Sequence, residues 1–474
     1  MEITKTNESK GFYKLSWLQR IGFGSGDMAQ NLIYQTVSIW LLFFYTNVYG
    51  LDPGDAAVMF LIVRLIDWAW DPVVGAFVDK SNPKWGKYRS WLILGGIPLT
   101  GFAILCFWNG FSGSLLYAYL TYVLMSMAYT LVNVPYGALN SSLTRDTDEI
   151  TILTSTRMFM ANAGALIVKS LPMVIAIFAP MAADGSAITN KPESASAWFI
   201  TMTIFALAGF ALLVFCFAQS KERVVMDKSE SDKVKATDLF TEFARNRPLR
   251  ILAFFFVTAF SMMSVSNAAD AYFMTYNVGA DELMTTAFMW LGTIPAFIFM
   301  PLVPAIKHKV GKKGMFYCFL GTAILGMALM YLCVQIDSLK QFWILCVIQF
   351  IKSTGIIVAT GYMWALVPEV VSYGEYKSGK RIAGIVNALT GIFFKLGMAL
   401  GGVVPGAVLA FVGFDANLDQ QTPFAEQGIL WLVCVIPAIL LLLAMWIISK
   451  YELEDDVIDK INLEIEARVK NEEK

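Results

Sequence analysis

The sequence predicts an all-α protein that is integral to a membrane. Of its 474 residues, 57% are hydrophobic and only 15% are charged, whereas soluble proteins carry about 25% charged residues. The mean hydropathy is +0.59. A helix needs about 20 apolar residues to span a bilayer, so twelve spans require about 240 of them, and the hydrophobic residues supply that number. These values exclude a secreted scaffold and a large soluble domain on a single anchor.

Charge and sulfur chemistry exclude further classes of function. The formal net charge is −1, so we predict no nucleic-acid partner. The one histidine, His308, lies in a basic loop, which excludes an HExxH zinc site and disfavours a Ser-His-Asp triad. The cysteines form no metal-binding spacing and are predicted to be buried and reduced: Cys106, Cys216, Cys318, Cys333, Cys346 and Cys434. We therefore predict neither an enzyme nor a bound cofactor.

Apolar runs bounded by charges, glycine or proline predict twelve transmembrane helices. The polar N-terminus does not resemble a secretory signal, so the first of these helices is expected to remain in the protein. The predicted spans cover residues 20–48, 55–79, 91–109, 114–143, 157–181, 197–218, 249–277, 283–305, 314–334, 340–367, 384–411 and 427–449.

Basic residues predict the orientation of the spans, because loops on the cytoplasmic side are enriched in lysine and arginine. Only Lys191 and Lys340 fall in loops on the opposite side. Both termini are therefore predicted to be cytoplasmic. The residues that indicate this are Lys5, Lys10, Lys14, Arg20, Lys80, Lys84, Lys87, Arg89, Lys307, Lys309, Lys312, Lys313, Lys377, Lys380 and Arg381.

The spans divide into two similar halves of six helices. A basic, glycine-containing turn follows the second span of each half, and a Val-Pro step marks the fourth span of each, at Val134 and Val367. This is the arrangement of major-facilitator transporters, whose substrate site lies at the midplane between the halves. The predicted segments are a cytoplasmic N-terminus (1–19), an N-terminal bundle (20–218), a cytoplasmic linker (219–248), a C-terminal bundle (249–449) and a cytoplasmic amphipathic tail (450–474).

Span two holds the densest group of charges inside the predicted membrane region. Arg64, Asp67 and Asp71 are three and four residues apart and share one helical face. Charges are costly at this depth, and two neighbouring carboxylates ionise together only with difficulty unless a cation or a proton joins them. The group therefore indicates a coupling-ion site for H⁺ or Na⁺. The alternative is a static ion pair between Arg64 and one aspartate.

Other spans carry single polar residues that could bind a sugar. Asp27 follows three alternating glycines and precedes Tyr34 on the same helix, which favours hydrogen bonding to sugar hydroxyls, although a helix-packing surface is an equal alternative. Lys395 is predicted to face the acids across the cavity, and Asp270 is either a further site residue or a polar kink. Arg157 is the second buried base, and the candidate aromatic residues are Tyr34, Trp68, Tyr129, Tyr136, Tyr276 and Trp364.

Three segments closely resemble the glycoside-pentoside-hexuronide:cation symporter family. They read DPVVGAFVDKSNPKWGKYRSW, NVPYGAL and PEVVSYGEYKSGKR, and the resemblance runs from about Leu15 to the end of span twelve. Within the family, NVPYGAL is nearer to pentoside permeases.

The resemblance implies roles for individual residues of this chain. It implies that Asp67, Asp71 and Thr130 form the cation site, with Lys395 near it. It also implies that sugar contacts come from Asp27, Tyr34 and Arg157. Asn133 stands where the best-known member of the family has an aspartate, and we place it, with Lys395 and Trp364, among the sugar-binding candidates.

We therefore predict a monomeric symporter of the bacterial inner membrane that carries a sugar or glycoside together with H⁺ or Na⁺. Two alternatives from other classes stay open. One is a sugar sensor on a transporter fold that binds its ligand without moving it, and the other is a lysolipid carrier on the same fold.

Overall fold

The chain is helical almost throughout in a computed structural model. This structure describes residues 14–81, 83–144, 147–182, 185–223, 241, 243–299, 302–336, 339–378, 383–418, 420–454, 457–458, 460–461 and 463–464. Within these ranges the one β contact is an isolated bridge between Met181 and Ala187. Most of the predicted linker (224–240 and 242) and the end of the predicted tail (465–474) lie outside the described residues.

The helices of the first half of the sequence come first. They are α1 (Trp17–Phe44), α2 (Pro53–Lys80), α3 (Ser90–Leu94), α4 (Gly96–Cys106), α5 (Leu115–Leu143), α6 (Thr147–Lys169), α7 (Leu171–Phe178) and α8 (Ala195–Gln219). The second half follows with α9 (Arg247–Tyr272), α10 (Glu282–Leu291), α11 (Ile294–Phe299), α12 (Val303–Gln335), α13 (Phe342–Met363), α14 (Val367–Ser378), α15 (Ala383–Phe411), α16 (Pro423–Leu430) and α17 (Ile436–Ile448).

The chain forms two compact units. The first unit contains Met1–Asp227, Ala280–Trp290 and Leu409–Thr422, and the second contains Lys228–Gly279, Leu291–Val408 and Pro423–Lys474. The inserted segment Ala280–Trp290 is tied into the first unit by two hydrogen bonds. Thr189 Oγ1 donates to Glu282 at 2.8 Å, and Trp290 Nε1 donates to the carbonyl of Leu166 at 3.1 Å.

The first helix of each half ends in the same way. α1 continues as a π-helical turn, Tyr45–Tyr49, and stops at Gly50 with φ 87°. α9 continues as the π-helical turn Phe273–Val278 and stops at Gly279 with φ 67°. Only glycine adopts this left-handed conformation without steric cost.

An aspartate follows each of these glycines by two residues and caps the next helix. Asp52 accepts a hydrogen bond from the backbone N–H of Gly54 at 2.7 Å, and Asp281 accepts one from Met284 at 2.7 Å. Aspartate is a preferred N-cap because its carboxylate satisfies N–H groups that have no partner within the helix.

The basic turn after α2 is held by a carboxylate from the end of the first six helices. Glu222 accepts hydrogen bonds from three consecutive backbone N–H groups, those of Lys87, Tyr88 and Arg89, at 3.0, 2.7 and 2.9 Å. Bonds from N–H groups to a charged acceptor are stronger than neutral ones. The chain leaving α8 is therefore fastened to the turn between α2 and α3.

The corresponding basic turn of the second half lies at Gly311, where α12 is interrupted by a residue with φ 72°. Lys312 is 3% exposed, pairs with Glu369 at 2.8 Å and donates to the carbonyl of Leu453 at 3.0 Å. Tyr451 donates to Glu369 at 3.3 Å, and burial, reinforced by that carboxylate, raises the pKa of Tyr451. The chain leaving α17 is therefore also fastened to the basic turn of its half.

One predicted boundary and one burial prediction need correction. α6 begins at Thr147 rather than 157, because charged residues form its first turns before the apolar run starts. Cys318 is exposed, whereas the other five cysteines are buried as predicted and all six are free thiols. A thiol on the outer face of an apolar helix can face lipid as readily as protein.

Among the described residues, eight helices are long and apolar enough to span a bilayer, or nine if the bent pair Ile152–Lys169 and Leu171–Phe178 forms one span. The long helices α1 and α2 are not among the eight. These two helices carry Asp27 and the span-two charges. The total of twelve spans and the position of the termini stay predictions.

Packing of α13 against α12 predicts a strict requirement for glycine at position 355. A Cβ on Gly355 would lie 2.5 Å from the backbone nitrogen of Ala323 and would also meet the carbonyl of Phe319, whereas a Cβ on Gly321 would meet nothing within 4 Å. We expect Gly355→Ala to destabilise the protein by about 1–3 kcal/mol, as overpacking does. Gly321→Ala is the matched control and should be neutral or stabilising. Thermal unfolding in detergent measures both, and equal melting temperatures for Gly355→Ala and the native protein would contradict this packing.

Candidate functional site

Asp27 on α1 forms a bidentate ion pair with Arg157 on α6. Arg157 donates from Nε to Asp27 Oδ2 at 2.5 Å and from Nη2 to Oδ1 at 3.3 Å. Tyr136 on α5 donates to Asp27 Oδ2 at 3.1 Å, and its ring lies 4.6 Å below the guanidinium. Both charged side chains keep about a fifth of their surface exposed. Three helices thus meet at a partly exposed charge pair.

The glycines before Asp27 make this meeting possible. A Cβ on Gly24 would lie 3.1 Å from the side chain of Thr156 on α6, and a Cβ on Gly26 would lie 2.5 Å from the ring of Tyr136. A Cβ on Gly22 would meet Gln219 of α8. Small residues allow helices to approach closely, so these three positions bring α5, α6 and α8 against α1. The helix-packing role and the polar role of this segment therefore coexist.

Tyr34 lies on α1, seven residues after Asp27, and contacts the charges of α2. Arg64 donates from Nη1 to the Tyr34 hydroxyl at 2.8 Å and lies 3.8 Å from Asp67. The ring of Tyr34 stacks on Tyr129 of α5 at 4.5 Å. Since residues seven apart share one helical face, Asp27 and Tyr34 present one polar face of α1 toward α2, α5 and α6.

Hydroxyl groups of α5 hold both carboxylates of α2. Ser126 donates a short hydrogen bond to Asp67, and Thr130 donates to Asp71 at 3.2 Å. Both acids are half-buried. Carboxylate and hydroxyl oxygens are the ligands that hard cations prefer, and the same carboxylates can take up a proton. The described residues contain no group of three or more His, Cys, Asp or Glu arranged to hold a metal ion, so a sodium ion here would need hydroxyl or backbone oxygens as further ligands.

The structure therefore groups seven of the predicted site residues in the first unit. They are Asp27, Tyr34, Arg64, Asp67, Asp71, Thr130 and Arg157. Asn133 lies half-buried on α5, one turn beyond Thr130. The predicted static pair between Arg64 and Asp67 is present, so the two interpretations of span two are not exclusive.

The remaining predicted site residues belong to the second unit. Lys395 is half-buried on α15, and its proximity to the aspartates stays a prediction. Trp364 is 46% exposed, and its ring packs against Phe256 at 4.8 Å. Tyr276 is half-buried in the π-helical turn after α9, and the side chain of Trp68 lies outside the described ones.

The sequence alone does not identify the partner of Asp270. Lys352 on α13 lies 3.7 Å from the Asp270 carboxylate on α9, and both side chains are almost fully buried. The sequence does contain a signal for this partner, because Lys352 lies in the middle of span ten. The enrichment of basic residues in cytoplasmic loops does not explain a lysine there. Asp270 is therefore part of an ion pair within the second unit.

Known proteins with similar sequences are transporters. A family model described as MFS/sugar transport protein matches residues 22–455. An uncharacterised symporter of Bacillus subtilis, YnaJ, is 43% identical over 98% of this chain and 97% of its own length. A glucuronide carrier protein homolog of Escherichia coli is 32% identical over 96% and 97%. An isoprimeverose transporter of Lactiplantibacillus pentosus is 28% identical over 85% and 82%.

Solved structures show the same fold at low sequence identity. The crystal structure of a D-xylose-proton symporter aligns with a TM-score of 0.60 at 15% identity, covering 92% of this chain and 97% of that one. Because the family model covers most of the chain and the relatives align along almost its whole length, the chain belongs to the MFS/sugar transport protein family and is a multi-pass transporter of the bacterial inner membrane.

Proposed function

We propose that the chain is a sugar:cation symporter that carries a glycoside or pentoside together with H⁺ or Na⁺. The observation that carries this proposal is the continuous polar chain Tyr34, Arg64, Asp67 and Ser126. Tyr34 shares its helical face with Asp27, so this chain runs from the predicted sugar residues to the predicted cation residues. The family and the names of its symporter relatives support the same class of function.

The sugar would bind beside the Asp27 and Arg157 pair. Sugars present hydroxyl groups that donate and accept hydrogen bonds and apolar faces that stack on rings. The carboxylate and guanidinium supply acceptors and donors that are already oriented by Tyr136, and the stacked rings of Tyr34 and Tyr129 supply an aromatic surface. Asn133, Lys395 and Trp364 complete the proposed set. The isoprimeverose transporter and the glucuronide carrier homolog support a glycoside or pentoside as the substrate class.

The cation would act on Arg64 through the carboxylates. With Asp67 ionised, Arg64 is shared between that carboxylate and the Tyr34 hydroxyl. A proton or Na⁺ at Asp67 and Asp71 weakens the attraction of Arg64 to Asp67. The guanidinium of Arg64 can then bind more strongly to the Tyr34 hydroxyl. Sugar affinity then rises with cation occupancy, and linkage requires that cation affinity rise with sugar occupancy by the same factor. The loaded site would then open to one side of the membrane and afterwards to the other, as in the alternating-access mechanism of secondary transporters.

The direct test is uptake of labelled pentosides, glucosides and galactosides into proteoliposomes. An inward sodium gradient and an inward proton gradient are imposed separately, with gradient-free vesicles as the reference. We expect one sugar class to accumulate above its external concentration under one of the two gradients. Sugar binding without flux in any condition would instead indicate a sensor.

Neutralising the acids of α2 should abolish coupling while leaving the carrier folded. We expect Asp67→Asn and Asp71→Asn each to reduce gradient-driven accumulation to the gradient-free level, because the amide loses the charge that attracts the cation. Sugar counterflow, which needs no ion gradient, should persist. Asp55→Asn, at the exposed start of the same helix, is the matched control and should accumulate normally. Full uphill accumulation by both test variants would refute the mechanism.

Substitutions at Asp27 and Tyr34 should affect sugar binding and its coupling to the cation separately. We expect Asp27→Asn to weaken sugar binding at least about tenfold, equivalent to about 1.4 kcal/mol, because it removes a charged acceptor and releases Arg157. Tyr34→Phe keeps the ring but removes the contact with Arg64, so binding should survive while its dependence on the cation falls. Isothermal titration calorimetry, with and without the coupling ion, measures the sugar affinity of both variants. Native affinity in Asp27→Asn would fit the lysolipid carrier and not a sugar carrier.

A further inference from the structure

The second unit contains a buried polar cluster that the proposed transport mechanism does not use. Its members are Asp270 on α9 and Gln349 and Lys352 on α13. Lys352 and Gln349 are each 1% exposed, and Asp270 is 6% exposed. Gln349 and Lys352 are three residues apart and therefore share one face of α13. The cluster thus lies between two helices of one unit.

The polar atoms of this cluster approach each other without closing a full set of hydrogen bonds. Lys352 Nζ lies 3.7 Å from Asp270 Oδ1, which is longer than a hydrogen bond. Gln349 Nε2 reaches Asp270 Oδ2 only at 3.5 Å. Asp270 Oδ1, Gln349 Oε1 and Lys352 Nζ have no hydrogen-bond partner among the residues that the structure describes. Buried polar atoms are nearly always bonded, so each of these three atoms needs a partner.

Packing around the cluster limits how far the side chains can move together. A Cβ on Gly326 of α12 would lie only 2.8 Å from Lys352 Cα, so the backbones of α12 and α13 are already in close contact there. Cys434 lies in the π-helical turn Trp431–Val435 before α17, and this turn packs against α9 and α12. The gap between the charges is therefore set by several helices rather than by two flexible side chains.

We propose that Asp270, Gln349 and Lys352 bind a single water molecule that bridges the ion pair. The water donates one proton to Asp270 Oδ1 and the other to Gln349 Oε1, and accepts a hydrogen bond from Lys352 Nζ. Two acceptors and one donor match the capacity of water and the three bonds that a buried water typically makes. A metal cation is excluded as the occupant because Lys352 would repel it, and a sugar is excluded because the cluster has almost no exposed surface.

The bridge gives the pair a positioning role in the second unit. A water-mediated hydrogen bond is nearly as favourable as a direct one. Asp270 and Lys352 therefore both have hydrogen-bond partners without α9 and α13 moving closer together. This inference does not depend on the identity of the sugar or the coupling ion.

X-ray hydroxyl-radical footprinting of the full chain in lipid nanodiscs tests the proposal. The radicals form from water itself, so a buried thiol is modified where a bound water lies beside it. Cys434 is 2% exposed, and Cys333, in the same unit, is 8% exposed and serves as the control. We expect Cys434 to be modified faster than Cys333 despite its deeper burial, and this modification to be lost in Gln349→Leu.

Two results would overturn the proposal. One is modification of Cys434 no faster than that of Cys333, and the other is modification that persists unchanged in Gln349→Leu. If Gln349→Leu fails to fold, a density map of the native protein that resolves ordered water decides the question. A peak within hydrogen-bond distance of all three atoms supports the bridge. Direct contact between Lys352 and Asp270 with no peak refutes it.

Discussion

A charge inside an apolar protein must be matched by an opposite charge or by hydrogen bonds, and this requirement organises both units. In the first unit Arg157 holds Asp27 and so joins α6 to α1. In the second, Lys352 is paired with Asp270 and so joins α13 to α9. Removing one member of such a pair leaves a buried charge without a partner. The resulting loss of stability is far larger than the net stability that the intact pair contributes. Each pair therefore fixes which helices must lie together, and the glycines of α1 supply the close approach that its pair requires.

The positions of the polar residues could be predicted from the sequence, but most of their partners could not. Asp27 and Arg157 each stand out as a charge within an apolar run, and such a charge implies a partner without identifying it. Their pairing depends on the packing of α6 against Gly24, which no local pattern reveals. Arg64 and Asp67 are the exception, because three residues on one helix bring them together by geometry alone.

Two further features could not be predicted from the sequence, for physical reasons. Lys352 is a charge inside span ten, but its partner Asp270 lies 82 residues earlier in the chain, so no local pattern identifies the pair. The start of α6 at Thr147 could not be predicted because the charged first turns of a helix carry no apolar signal. The family and the fold, by contrast, could be predicted because twelve apolar runs, two similar halves and three long motifs all indicate the same architecture.

The matching ends of α1 and α9 provide an internal alignment of the two halves. The shift in residue number that aligns Gly50 with Gly279 also aligns Asp52 with Asp281. The same shift aligns Thr293 with Arg64 and Ala296 with Asp67. The two halves thus share the turn, the cap and the start of the following helix, but the second half has uncharged residues at the positions that match Arg64 and Asp67. The same turn and cap therefore form with or without the span-two charges, so this part of the backbone does not depend on them.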